Sequence, residues 1–298
     1  MIRRALLWSG ALSVLLIGLI AQVQARREAR GPETCDTPGE PAAPDTVTVH
    51  PSSFRVLVFT RHGGYSHRSI PAAVAAMHTL GARHGFTVLA TDDPSLFEDD
   101  VLRAFAAGVL LNTTGNVFSD KQKVALERYV RAGGGVVGIH SALDTETGWP
   151  WYHRLLGADF AGHPAIQHAR LTVFPAPDGL NPPLPQPWER TDEWYNYRAL
   201  PEGVKVLVSV DEGSYRGGKM GRSHPVSWYH DFEGGRAWYT AMGHTTCSYS
   251  EPPFLDHLLS GIRYAANAAR DSLVTGSLTP MTPDTGTPTH LSRGTPPP

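Results

Sequence analysis

The sequence predicts an α/β domain built on a doubly wound, mostly parallel sheet. Three observations predict it. Short, nearly continuous apolar runs alternate with amphipathic helical stretches through the first half of the folded region, the pattern of βαβ crossovers. The runs are rich in β-branched residues, as strands covered on both faces require. After Trp151 the rhythm changes to strand, turn and strand, which adds β-hairpins to the C-terminal half.

The elements follow in order. FRVLVFT, residues 54–60, is the first buried strand. Ser69 is placed to cap IPAAVAAMHTLGARHG, in which Ile70, Val74, Met77 and Leu80 share a face and Gly85 suits the stop. FTVLAT (86–91) and GVLLN (108–112) are the next strands, with a short helix around Asp99 to Phe105 between them. Ser119 and Gln122 form a capping box ahead of a helix whose Leu126, Tyr129 and Val130 face inward. Gly133 to Gly135 reads as a helix stop rather than a phosphate cradle, because no Lys-Ser/Thr follows. The strand VVGIH then ends at His140. Beyond Trp151, ARLTVF, VKVLVSV, PVSWYHDF and GRAWYTAMGH read as strands, FPAPDGLNPPLPQPWE as a proline-rich loop, and FLDHLLSGIRYAANAA as the closing helix.

The ends of the chain differ in character. Residues 1–25 carry Arg3 and Arg4 ahead of an apolar stretch, with Val23 and Ala25 at cleavage spacing, and read as a secretory signal peptide; an uncleaved membrane anchor is the alternative. Either places the body outside the cytoplasm, and membrane contact is expected only if that segment stays attached. Residues 26–53 read as a flexible leader, 54–270 as the domain and 271–298 as a disordered tail. With a net charge of −2 and 18% charged residues there is no basic field for nucleic acid. The two cysteines, Cys35 and Cys247, stand without a CxxC spacing, which argues against a zinc ribbon; whether they pair is open.

A histidine at the carboxyl end of a core strand sits where parallel α/β sheets bind ligands. Strand, tight turn and helix form the elbow that exposes a nucleophile in hydrolases and amidotransferases. Imidazole serves there as base, acid or metal ligand rather than as a durable acyl carrier. At this point the chain resembles the ThuA-like (trehalose utilisation) domains, which share the class I glutamine amidotransferase-like, flavodoxin-like fold without its cysteine. The resemblance is carried by VFTRHGGYSHRSI, GGGVVGIHSALD, FAGHP (160–164), TDEWYNY (191–197), HPVSWYH (224–230) and GRAWYTAMGH (235–244), spanning about Phe54 to Ala268.

That resemblance implies that His244 faces His140 across the former catalytic centre, with His62 at the same sheet edge. Candidate catalytic groups are then His140, Glu193, His244 and Asp144, and candidate substrate contacts are His62, His67, Trp194 and Tyr195, the aromatics offering flat faces to a sugar ring. His62, His140 and His244 are one set that could hold a divalent metal such as zinc. Plainer roles compete: His67 or Asp144 as helix caps, His163 and His224 as turn-fixing residues before proline, and Trp228, Tyr229, Trp238 and Tyr239 as packing. The resemblance implies a small-molecule carbohydrate partner and an enzyme acting on a sugar or keto-sugar derivative. A noncatalytic carbohydrate- or partner-binding domain is the alternative, and glutamine amidotransferase activity is excluded by the missing elbow cysteine.

Overall fold

The computed structural model describes residues 54–177, 180 and 182–275, with side chains described as far as Ala266. The first half alternates as the sequence predicts: β1 (Phe54–Phe59), α1 (Ile70–His84), β2 (Phe86–Thr91), α2 (Asp99–Leu102), β3 (Ala107–Leu111), α3 (Asp120–Arg131) and β4 (Gly135–Ile139). Every residue of β3 and β4 is buried, the consequence of helices covering both faces. Gly85 ends α1 in the left-handed conformation at φ 75°. The Ser119–Gln122 box is formed, with the Ser119 amide donating to Gln122 Oε1 at 2.8 Å.

The second half supplies α4 (Pro150–Leu156), β5 (Phe160–Gly162), β6 (Gln167–Val173), β7 (Trp188–Asp192), β8 (Asn196–Tyr197), β9 (Lys205–Val210), β10 (Pro225–Phe232), β11 (Gly235–Thr240) and α5 (Pro252–Thr275). The sheet order is β2-β1-β3-β4-β11-β10-β9-β6-β7. From β2 to β11 the pairs are parallel, and from β11 to β7 they are antiparallel. The chain reverses direction across the sheet between β1 and β3, as doubly wound sheets do. β5 and β8 form a separate two-stranded ribbon.

Two boundaries differ from those read in the sequence. Trp188 and Glu189 belong to β7 rather than to the proline-rich loop, and α5 runs to Thr275, past the limit expected at Arg270. The leader, Cys35 and the tail beyond Thr275 lie outside the described residues. Among the described residues no helix is long and apolar enough to cross a membrane.

The core closes where α5 crosses β4 and β11. A Cβ on Gly135 would lie 2.1 Å from the Ala265 carbonyl oxygen, so only glycine admits the helix at this distance. Trp228, Tyr229, Trp238 and Tyr239 are all buried, and they pack rather than form a platform. His257 of α5 is fully buried against Trp188 and Trp238, with Nε2 on Ser227 Oγ at 2.9 Å and no partner for Nδ1. Burial, then the nearby Arg190 charge, pushes its pKa down to about 3.

The native state therefore holds His257 neutral while the unfolded chain protonates it below its ordinary value. Stability from this residue is complete above about pH 6.5 and is lost as pH falls, by about 1.4 kcal/mol per unit until the folded value is reached. Urea titrations from pH 7 to 4.5 should show that slope reduced by one proton in His257→Gln. An unchanged slope would refute the assignment.

Candidate functional site

The parallel register delivers the site. Thr240 of β11 pairs with Ile139 of β4, so both strands end at one level and the residues after them, His140 and His244, emerge side by side. His140 adopts φ 51°, the left-handed region that non-glycine residues avoid, and opens the tight turn His140–Asp144. Tyr239 Oη clamps this turn by donating to the His140 carbonyl at 2.8 Å. The ring is fixed too: Nδ1–H donates to the Ala241 carbonyl at 2.8 Å, which turns Nε2 toward the other site residues.

Around His140 Nε2 gather His244 Nδ1 at 3.0 Å, the Tyr195 hydroxyl at 3.1 Å and Glu193 Oε2 at 3.4 Å. Glu193 Oε2 is also 3.2 Å from His244 Nδ1, while Oε1 accepts from His163 Nδ1 at 2.8 Å. His67 packs edge-on against both inner rings, with centroids 4.8 Å from His140 and 5.1 Å from His244. One carboxylate thus links imidazoles on its two oxygens.

The electrostatics follow from burial. Burial pushes the Glu193 carboxyl up, yet hydrogen bonds from His140, His163 and His244 outweigh it and hold the group well below the usual carboxylate range. Burial pulls His163 down, and the hydrogen bond and charge of Glu193 reverse this and raise it. His67 is pushed down to about 2, by burial first and then by the charges of His140 and His244. It is a neutral ring at physiological pH.

A buried ion pair holds this geometry. Although β7 pairs only with β6, its last residue reaches the loop after β11: Asp192 accepts from the amides of Gly243 at 2.8 Å and His244 at 3.0 Å. Arg190, two residues earlier on the same face, contacts Asp192 at 3.0 Å and donates to Ser248 Oγ at 2.8 Å, with both side chains of the pair almost wholly buried. Ser69 joins the same loop. Its hydroxyl bonds Gly243 O at 3.4 Å and Asn112 Nδ2 at 2.9 Å, and it makes no cap to α1, so the expected helix cap is a tie to the His244 loop.

The inner group is nearly closed. His140 is 0% exposed and His244 8%, whereas the contacting residues that reach solvent are His163, with 39% of its side chain exposed, and Tyr65 at 40%. Tyr65 lies over His67 edge-on and parallel to His244. These two residues form the rim.

His62, expected as the third imidazole, is exposed and bridges backbone with Thr114 outside the cluster; His67, five residues on, takes that place. Trp194 is fully buried, with Nε1 on the Gln167 carbonyl at 3.0 Å and its ring beside Tyr215, so it presents no face to a sugar. Tyr195 meets the site through its hydroxyl as well as its ring, 4.5 Å from that of His140. Asp144 is half-buried, its carboxyl raised by burial, and it acts on His163 and His140 through charge. His224, besides preceding Pro225, anchors the Tyr195 carbonyl through Nε2–H at 2.7 Å. His163, Asp192 and Arg190 were not read from sequence as site residues. The available signal was their place in FAGHP and just before the Glu193 segment.

Fold and site together define a doubly wound, flavodoxin-like domain in which a histidine occupies the tight turn at the carboxyl end of β4. The ThuA family model, described as trehalose utilisation, matches residues 55–265, and the chain belongs to that family. A ThuA-like protein from Bacteroides uniformis is similar in structure at 21% identity, TM-score 0.61, over 76% of this chain and 95% of that one. A second, from Parabacteroides merdae, has 18% identity and a TM-score of 0.57 over 79% of this chain and 94% of its own. A cytoplasmic protein from Salmonella typhimurium follows at 9% identity and TM-score 0.51, covering 71% and 98%. No curated protein matches the chain.

Proposed function

We propose that this chain is an enzyme that transfers protons on a sugar or keto-sugar derivative. The observation that carries the reading is a single buried carboxylate, Glu193, hydrogen-bonded to imidazoles on both oxygens, one of them at the solvent-facing rim. A carboxylate bound to Nδ1–H of His163 orients that ring, raises its basicity and leaves Nε2 to meet a substrate proton. As the proton arrives, Glu193 stabilises the imidazolium. On the inner side the Tyr195 hydroxyl, directed at His140, is a donor for an oxygen that gains charge.

The family description, trehalose utilisation, supports a carbohydrate as the substrate class. Export through residues 1–25 fits an enzyme that meets oligosaccharides before uptake, and is proposed with it. Incubation with trehalose, sucrose and their 3-keto derivatives, followed by NMR, tests the reading. Product should form with the wild-type protein, fall by about 100-fold or more in His163→Ala, and remain at the wild-type level in His62→Ala. Binding without product from any of these sugars would overturn it in favour of a noncatalytic carbohydrate-binding domain.

A further inference from the structure

We infer that His140 Nε2, His244 Nδ1 and Glu193 Oε2 form a divalent-metal site of the zinc type, with the ring of His67 as an adjacent fourth donor. The inference deepens the proton-transfer reading and shares its residues, but it is tested without turnover.

The distances carry it. The three atoms are separated by 3.0, 3.2 and 3.4 Å. A tetrahedral ion with bonds of about 2.0–2.2 Å holds its ligands roughly 3.3–3.6 Å apart, so each edge of the triangle is within about half an ångström of one coordination face. Two imidazoles and a carboxylate are a donor set that catalytic zinc sites use, with a fourth position left for water or substrate. The ligand nitrogens of His67, His140 and His244 lie within 4.8 Å of one another, which puts His67 beside that position.

The surroundings match as well. Metal-bound histidines hand their second ring proton to a backbone carbonyl or carboxylate, which fixes the tautomer. His140 does this through Nδ1–H and the Ala241 carbonyl. Glu193 presents one oxygen to the triangle and turns the other to His163, so a carboxylate that ligates an ion through Oε2 still orients the rim imidazole through Oε1. The Asp192 bonds to the Gly243 and His244 amides brace the third ligand from behind. The ion would polarise a substrate oxygen while His163 handles the proton. His62 is exposed and does not belong to this set.

The test uses the full chain stripped of metal by chelator and titrated with zinc by calorimetry, and with cobalt(II) by visible absorption, since a tetrahedral N/O site gives intense d–d bands that an octahedral or surface site does not. A single ion per chain with the tetrahedral spectrum is expected. Affinity should fall by about 100-fold or more in His244→Ala and Glu193→Gln and be unchanged in His62→Ala. Near-UV circular dichroism selects the variants that keep the native fold. His140→Ala is added where it folds, since it also loses the Ala241 bond. No bound ion in the wild type, or an ion that survives both His244→Ala and Glu193→Gln, overturns the site. A protein that binds the ion and makes no sugar product fails the functional reading alone; product from a protein that binds no ion fails this inference alone.

Discussion

Replacing Glu193 with Gln is expected to lower turnover of the sugar substrate by about 10²–10⁴-fold with little change in the fold. The side chains are isosteric, so packing is kept, but the amide carries no charge and offers a donor where an acceptor is needed. His163 then loses the negative charge of Glu193 that helps raise it, leaving the burial that pulls it down less opposed. The sign of the pH effect follows: the limb of the rate profile that reports deprotonation of His163 moves to lower pH in the variant. Rate profiles of both proteins over pH 5–9 check this. Turnover equal to wild type, or a loss with no shift of that limb, would remove Glu193 from the proposed role.

The second large effect is on stability. Arg190→Met should cost about 3–5 kcal/mol, because it strands the Asp192 carboxylate without its cation inside the protein. Replacing the pair together, Arg190→Met with Asp192→Asn, should recover part of that loss, since Asn keeps the shape and an acceptor oxygen of Asp192 without leaving a buried unpaired charge. Activity should not return with it. Asn would present an NH2 to one of the Gly243 and His244 amides in place of an acceptor, and the imidazole they position would lose its seat. Urea unfolding of the two variants, paired with turnover, separates folding from function. A single variant within about 1 kcal/mol of wild type would refute the argument, because a buried unpaired charge cannot be that cheap.

β7 explains where reading the sequence stops. The parallel strands were legible because their apolar runs are bounded by helices with caps, and β4 and its terminal histidine stood out on that ground. In WERTD the buried positions are Trp188, Arg190 and Asp192, and the exposed ones are Glu189 and Thr191. The alternation is that of a strand, but two of its inward residues are charged, and hydrophobic periodicity has no means of seeing an ion pair that neutralises itself. His62 and His67 fail for a different reason. Both follow the first strand, and which of two nearby imidazoles enters the centre depends on a turn whose path is set by contacts with Thr114, far along the chain. Trp194 and Tyr195 are neighbours in sequence and were read alike, yet the backbone at this point sends one ring to the core and the other to the site. His163 was masked by its proline: the dipeptide reads as a turn, and only the fold brings it to Glu193.

The place of β11 in the sheet has a temporal consequence. It is the last strand among the described residues and yet lies between β4 and β10, with neighbours on both sides. During synthesis the first four strands emerge with the bonding edge of β4 bare, a template for unwanted pairing, until some 240 residues have left the ribosome. A nascent or truncated chain ending before Gly235 therefore lacks the middle of its own sheet, and refolding should show one late, cooperative step in which this segment slots home.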